Sequence, residues 1–265
     1  MAPVKSRAVV LRRHRVGETS GVVVCYTREY GKVRLIAKGV RRGGGRLGAA
    51  LDPFVVSGVV FYLRPRQGLS LVSQAEPELE FRELRRDVER QSFAAVALEL
   101  VDRLVAEQAA DPGLFDALCR TLTETDQSPL EDLPAVLWAF ELSLADRLGY
   151  SPSLDGCVSC DGRAGEGARF SVDDGGVVCG NCVSSGTEYG DEVVAALRKL
   201  RAGVPASSFR GLSDLVRNDV GKALLGHIER HSDHSLDLRS QKVLESLERA
   251  RRSQEGASPA DRKEN

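Results

Sequence analysis

Four of the six cysteines in this 265-residue chain fall into two pairs of identical spacing, Cys157-Val158-Ser159-Cys160 and Cys179-Gly180-Asn181-Cys182, separated by 18 residues. Two residues between thiols let both sulfurs face one ion from a tight knuckle, and a second knuckle completes a tetrahedron. Four thiolates close the coordination sphere of a single Zn2+, leaving no position for water or substrate, so the metal expected here is structural. Arg169 to Val178, with Asp174-Gly175-Gly176 as a turn, can fold back as a hairpin and bring the knuckles together. Sites of this kind bind with roughly 10–16 kcal/mol, enough to order a segment too glycine-rich and polar to build its own core. A redox dithiol is the competing use of one C-x2-C pair, and two pairs in register favour zinc. Cys25 and Cys119 lie on apolar faces and read as buried small hydrophobes.

No other cluster of reactive side chains is as specific. Gly43, Gly44, Gly45 and Gly48 fit neither the GxxxxGK[ST] nor the GxGxxG template, which leaves nucleotide hydrolysis without a cradle. His227, His231 and His234 stand at i, i+4 and i+7, but their order is H-I-E-R-H and not HExxH. They are expected on an exposed or DNA-near helix face. His14 lies among Arg12, Arg13 and Arg15, and no serine occupies a GxSxG elbow. Without a nucleophile or clustered carboxylates around an open metal, the expectation is a non-enzyme with no small-molecule substrate.

The elements that carry these residues divide by charge. Residues 1 to 75 hold 14 Lys+Arg against Glu18, Glu29 and Asp52, a net of +11, and the remainder carries -12. A basic block of this size attracts polyanions, with nucleic acid first among them. Within it Ala8 to Leu11, Gly21 to Tyr26, Val33 to Ala37, Phe54 to Leu63 and Leu69 to Val72 read as short β-branched strands between turn signals. Five strands fit a barrel of the oligonucleotide/oligosaccharide-binding (OB) kind, although an SH3-like barrel leaves nearly the same trace. Arg41 to Arg46 is too glycine-rich for a regular element and reads as a mobile cationic loop.

From about Pro77 the apolar spacing becomes helical: Phe81 to Leu104 as one long helix or two, then a helix opened by Asp111-Pro112, then Leu130 to Leu148 closed by Gly149 and Pro152. Further helices are expected over Asp191 to Arg201, Leu212 to His231 and Leu238 to Leu247. The fold class is therefore mixed all-β plus all-α. A five-stranded OB-fold barrel over 1–77 is followed by a helical domain over 78–250, with the zinc-binding insert at 155–185 and a disordered tail at 251–265. With a mean hydropathy of -0.21 and no apolar stretch near the roughly 20 residues of a membrane helix, no membrane span is expected. The basic start lacks a signal-peptide core, which points to the cytoplasm.

Lys38-Gly39-Val40 with Arg41 and Arg42, the run LSLADRLGYSP at Leu142 to Pro152, then LDGCVSC and CGNC, resemble the RecO family of bacterial recombination mediators. The His227 to Leu247 segment is similar to that family's C-terminal helical stretch. The resemblance covers about residues 4 to 250 and implies an OB-fold, a four-cysteine zinc site, no catalysis, and action with RecR and single-strand-binding protein (SSB) in loading RecA. It also implies contact with the acidic C-terminal tail of SSB and a nucleoid-associated location. Binding of single- and double-stranded DNA without base readout, and annealing of complementary strands, would rest on phosphate neutralisation. The candidate cations are Arg34, Lys38, Arg41, Arg42 and Arg46, with Arg12, Arg13, Arg15 and Lys32 behind them. Tyr26, Tyr30 and Phe54 could stack on bases but are at least as well suited to the core. The competing reading is a zinc-ribbon regulator that recognises one operator sequence.

Overall fold

The computed structural model describes residues 2–16, 20–38, 46–64, 68–184, 186–232 and 235–256, the side chains of Arg46 and of residues 252–256 excepted. Strands β1 (Val4–Val16), β2 (Ser20–Thr27) and β3 (Gly31–Ala37), a one-turn helix α1 (Arg46–Ala50), and strands β4 (Val55–Tyr62) and β5 (Ser70–Glu80) form the first unit. The strands close into a barrel in the order β1-β2-β3-β5-β4, with β1 paired antiparallel to β4 and β3 parallel to β5. That connectivity is the OB type, which separates it from the SH3-like alternative.

The run Ala8-Val9-Val10-Leu11 has no polar alternation because β1 is covered on both faces. Ala8 and Val10 join Val23, Cys25, Val33, Leu35, Phe61 and Val72 inside the barrel. Val9 and Leu11 join Val24, Tyr26 and Val56 against the helices. Cys25 and Cys119 are buried, as their apolar neighbours required, and burial pushes both thiols up to about 12. The hairpin turn at Gly31 abuts the backbone of Ala109: its φ is 63°, and a Cβ there would stand 2.4 Å from the Ala109 carbonyl.

Helices α2 (Arg82–Arg86), α3 (Val88–Leu104), α4 (Pro112–Gln127) and α5 (Leu133–Leu148) follow. Their starts and stops have side-chain causes. Asp87 accepts from the Arg90 N–H, Asp111 accepts from Gly113 and Leu114 ahead of Pro112, and Gly149 closes α5 at a φ of 84°. Short strands β6 (Arg169–Ser171), β7 (Gly176–Val178) and β8 (Glu188–Tyr189) form the insert's sheet in the order β7-β6-β8. Helices α6 (Asp191–Arg201), α7 (Asp214–His231) and α8 (Arg239–Gly256) complete the described chain. No described helix is long and apolar enough to cross a membrane.

The structure departs from the sequence reading at three places. Strand β5 continues through Pro77 to Glu80, because Pro77 pairs with Ser57 beside a register shift, where a missing N–H is tolerated. Phe54 precedes β4 in a left-handed conformation, with φ 62°. Helix α8 runs on to Gly256, past the point where apolar anchors end; Arg251 reaches Glu89 of α3 at 2.8 Å and ties it down.

Candidate nucleic-acid surface and metal centre

The cations expected to hold DNA separate into groups. On β2 and β3 the outward positions alternate, so Lys32 and Arg34 share the face of Val24 and Tyr26 and point toward the helices. Lys32 Nζ donates to the Asp102 carbonyl at 2.5 Å and lies 3.9 Å from its carboxylate, and half-burial lowers its pKa. Arg34 Nε lies 3.0 Å from Glu107, and Arg12 Nε lies 2.6 Å from Asp102. These three cations fasten the barrel to the end of α3. Arg13 pairs with Asp52.

Arg15 and Lys38 are exposed. Arg15 pairs across to Gly21, and Gly21 to Ala37, so the register brings Arg15 and Lys38 to one rim of the barrel. Arg41 and Arg42, and the side chain of Arg46, lie outside the described residues. The three aromatic candidates are engaged elsewhere. Tyr26 is fully buried with its hydroxyl accepting from the Asp111 N–H, Tyr30 packs edge-on against Phe61 at 5.7 Å, and Phe54 packs against the helical core.

Sequence reasoning missed the contribution of the helical domain to this side. A groove at the junction is lined by Arg12 and His14 of β1 together with Arg103 and Arg239. Arg103 stands in the last turn of α3 and Arg239 opens α8, and no spacing signal connects two positions so far apart.

In the insert the four cysteine sulfurs lie within 4.8 Å of one another. Cys160 Sγ and Cys179 Sγ are 3.9 Å apart. A regular tetrahedron with metal–sulfur bonds of about 2.3 Å has edges of about 3.8 Å, so the set fits one thiophilic ion. The Cys157 knuckle is tightened by its N–H donating to the Gly162 carbonyl at 2.9 Å and by Asp161 in a left-handed conformation. The Cys179 N–H donates to Cys157 Sγ at 3.3 Å and lowers that thiol to about 6, while hydrogen bonds with the neighbouring cysteines push Cys182 up to about 12, so the four ionise together only around a cation. With four sulfurs turned inward, the arrangement suits structural coordination.

The histidines do not form an exposed face. His227 is buried and its Nε2 donates to the Tyr150 carbonyl at 2.6 Å, while His231 Nε2 donates to the Val172 carbonyl at 2.8 Å. Their rings lie 4.5 Å apart. Together with Arg230, which pairs with Asp173 at 2.8 Å, they brace the insert against α7. The expectation failed because both acceptors are main-chain carbonyls flanking or inside the insert, which side-chain spacing on α7 does not reveal. His234 lies outside the described residues. The basic residues beyond the insert are likewise committed: Arg198 to the Leu154 carbonyl, Arg201 to Asp146, Arg210 to Asp132 and Arg217 to the Glu131 carbonyl. Lys199 is exposed.

A closed OB-type barrel with two exposed cations at one rim, fused to a helical domain that carries a four-cysteine cluster able to hold a metal, defines the class of fold. The family model "Recombination protein O N terminal" matches residues 1–81, and "Recombination protein O C terminal" matches residues 85–240. The DNA repair protein RecO of Bacillus pumilus is 31% identical over 251 residues, covering 92% of this chain and 94% of the relative. That of Rubrobacter xylanophilus is 37% identical over 235 residues, covering 86% and 93%. That of Alkaliphilus metalliredigens is 39% identical over 179 residues, covering 68% and 72%. The chain belongs to the RecO family of DNA repair proteins. The operator-reading regulator finds no support in these matches.

Proposed function

We propose that this chain is a recombination mediator that binds single- and double-stranded DNA without sequence specificity and anneals complementary strands. With RecR it helps load RecA onto SSB-coated single strands. The observation that carries the reading is the charge division: residues 1–75, which hold most of the barrel, carry +11 and the remainder -12. Arg15 and Lys38 at the rim, together with Arg13, Arg41, Arg42 and Arg46, are the phosphate-neutralising set. Arg12, Lys32 and Arg34 act first at the junction. Binding is counterion release with little base readout, so one barrel serves any sequence.

The ion in the four-cysteine site is one structural Zn2+, supported by the all-thiolate set. The chain turns over no substrate; its work is to hold strands and partners. RecR and the acidic tail of SSB dock on the helical side, where Lys199 is an exposed cation, and the protein works in the cytoplasm at the nucleoid. Annealing of a labelled complementary pair, with and without SSB coating, tests the whole reading. Arg15→Glu combined with Lys38→Glu should slow annealing at least tenfold; an undiminished rate refutes it.

A further inference from the structure

Helix α5 carries one acid in its apolar stripe. Glu141 is fully buried, and neither carboxylate oxygen has a hydrogen-bond partner. It lines a cleft of about 430 Å³ between α5, α7 and α8, within the size range of ligand sites. The buried Oε1 of Gln241, on α8, lines the same cleft and also lacks a partner. Three unpartnered oxygens, all capable of accepting, call for a ligand rich in donors.

Phe93, Trp138, Leu225 and Leu244 supply the apolar part of the walls. Six further carboxylates line the cleft, including Glu229, Glu245 and Glu248, against the cations Arg217, Lys222 and Arg251. Arg217 is held by the Glu131 carbonyl and Arg251 by Glu89. The balance favours a cation on a long aliphatic stem, and two oxygens on one carboxyl match the parallel N–H groups of a guanidinium.

We propose that this cleft is a docking site for an arginine side chain presented by a basic peptide segment of a partner protein, with Glu141 as the buried acceptor. The stem lies along Leu225 and Leu244, and the guanidinium reaches Glu141 past Trp138. Burial holds the Glu141 carboxyl well above the ordinary carboxylate range while it lacks a partner, so an arriving guanidinium supplies the charge that ionises it. The site is separate from the barrel rim and independent of DNA binding.

Trp138 is the chain's sole tryptophan, so its emission reads the cleft directly. The full-length protein is titrated with a capped tri-arginine peptide, with tri-lysine and tri-citrulline peptides as controls, and calorimetry runs in parallel. Tri-arginine should bind saturably and shift the emission, with both controls at least tenfold weaker. Glu141→Gln should weaken tri-arginine at least tenfold, since charge-assisted hydrogen bonds are lost. Lys222→Gln, an exposed change, should tighten it about threefold. Equal affinity in Glu141→Gln, equal binding of either control, or neither emission change nor heat overturns the proposal. Unchanged affinity in Lys222→Gln does so even where Glu141→Gln fails to fold.

Discussion

The barrel and the four-cysteine insert reach order by opposite means. The barrel has apolar side chains on both surfaces of β1 and β2, one set inside and one beneath the helices. Among the described residues the insert keeps Cys157, Val178 and Cys179 as a buried cluster of its own and gives Phe170, Val172 and Val177 to the helical core. Burial is spread over many residues, each worth about 1.5–3 kcal/mol, whereas coordination concentrates roughly 10–16 kcal/mol in one ion. A distributed core loses stability by degrees, and a concentrated one loses it at once.

Metal removal gives the largest effect. A chelator able to strip a four-thiolate site removes binding energy of roughly 10–16 kcal/mol, so amide exchange across 155–185 should become fast while β1 to β5 and α3 to α5 keep their protection. Unchanged protection of the insert after complete metal loss breaks the contrast. Gly31→Ala comes next: the new Cβ meets the Ala109 backbone at a left-handed φ, and denaturant melting should show a loss of about 1–3 kcal/mol. A melting curve equal to wild type would mean that the turn does not bear on the linker between α3 and α4.

The histidine brace sharpens the comparison through pH. Burial, the larger cause, lowers the pKa of His227 and outweighs its bond to Tyr150. The unfolded chain takes up this proton near pH 6.5 while the folded chain stays neutral. Stability is therefore full above that value and falls as pH drops toward the folded pKa, by up to about 1.4 kcal/mol per unit. His227→Asn should flatten this part of the profile between pH 6.5 and 5 in thermal melts; an identical acid slope in both proteins assigns the proton elsewhere. The smallest effect separates the two sets of barrel cations. Arg15→Ala should reduce the salt slope of DNA binding by about 0.9, one phosphate's worth, and Arg34→Ala should leave it unchanged. Equal changes in anisotropy titrations would erase the distinction between rim and junction.

Much of this was legible in the chain. β-Branched runs located five strands, capping residues located the helices, and paired C-x2-C spacing brought four sulfurs together before any coordinates. Two further signals were present but unread. Lys32 and Arg34 alternate with Val33 and Leu35, which puts them on the opposite face of the strand from those two core residues. Glu141 stands four residues after Leu137, and so on the stripe that faces inward. What could not be read were partners distant in sequence: Asp102 for Lys32, main-chain carbonyls for His227 and His231, and Arg239 beside Arg12. Residue type and spacing report which face a side chain shares, and say nothing of what another element brings to meet it.

The double-sided coverage of β1 and β2 has a practical result. A truncation ending at Glu80 would uncover Val9, Leu11, Val24, Tyr26 and Val56 together, an oily strip wide enough to drive precipitation at modest concentration. Expression of that fragment should yield inclusion bodies unless the strip is rewritten with polar residues. In biosynthesis, the ribosome must release the first helices before the leading strands have anywhere dry to settle.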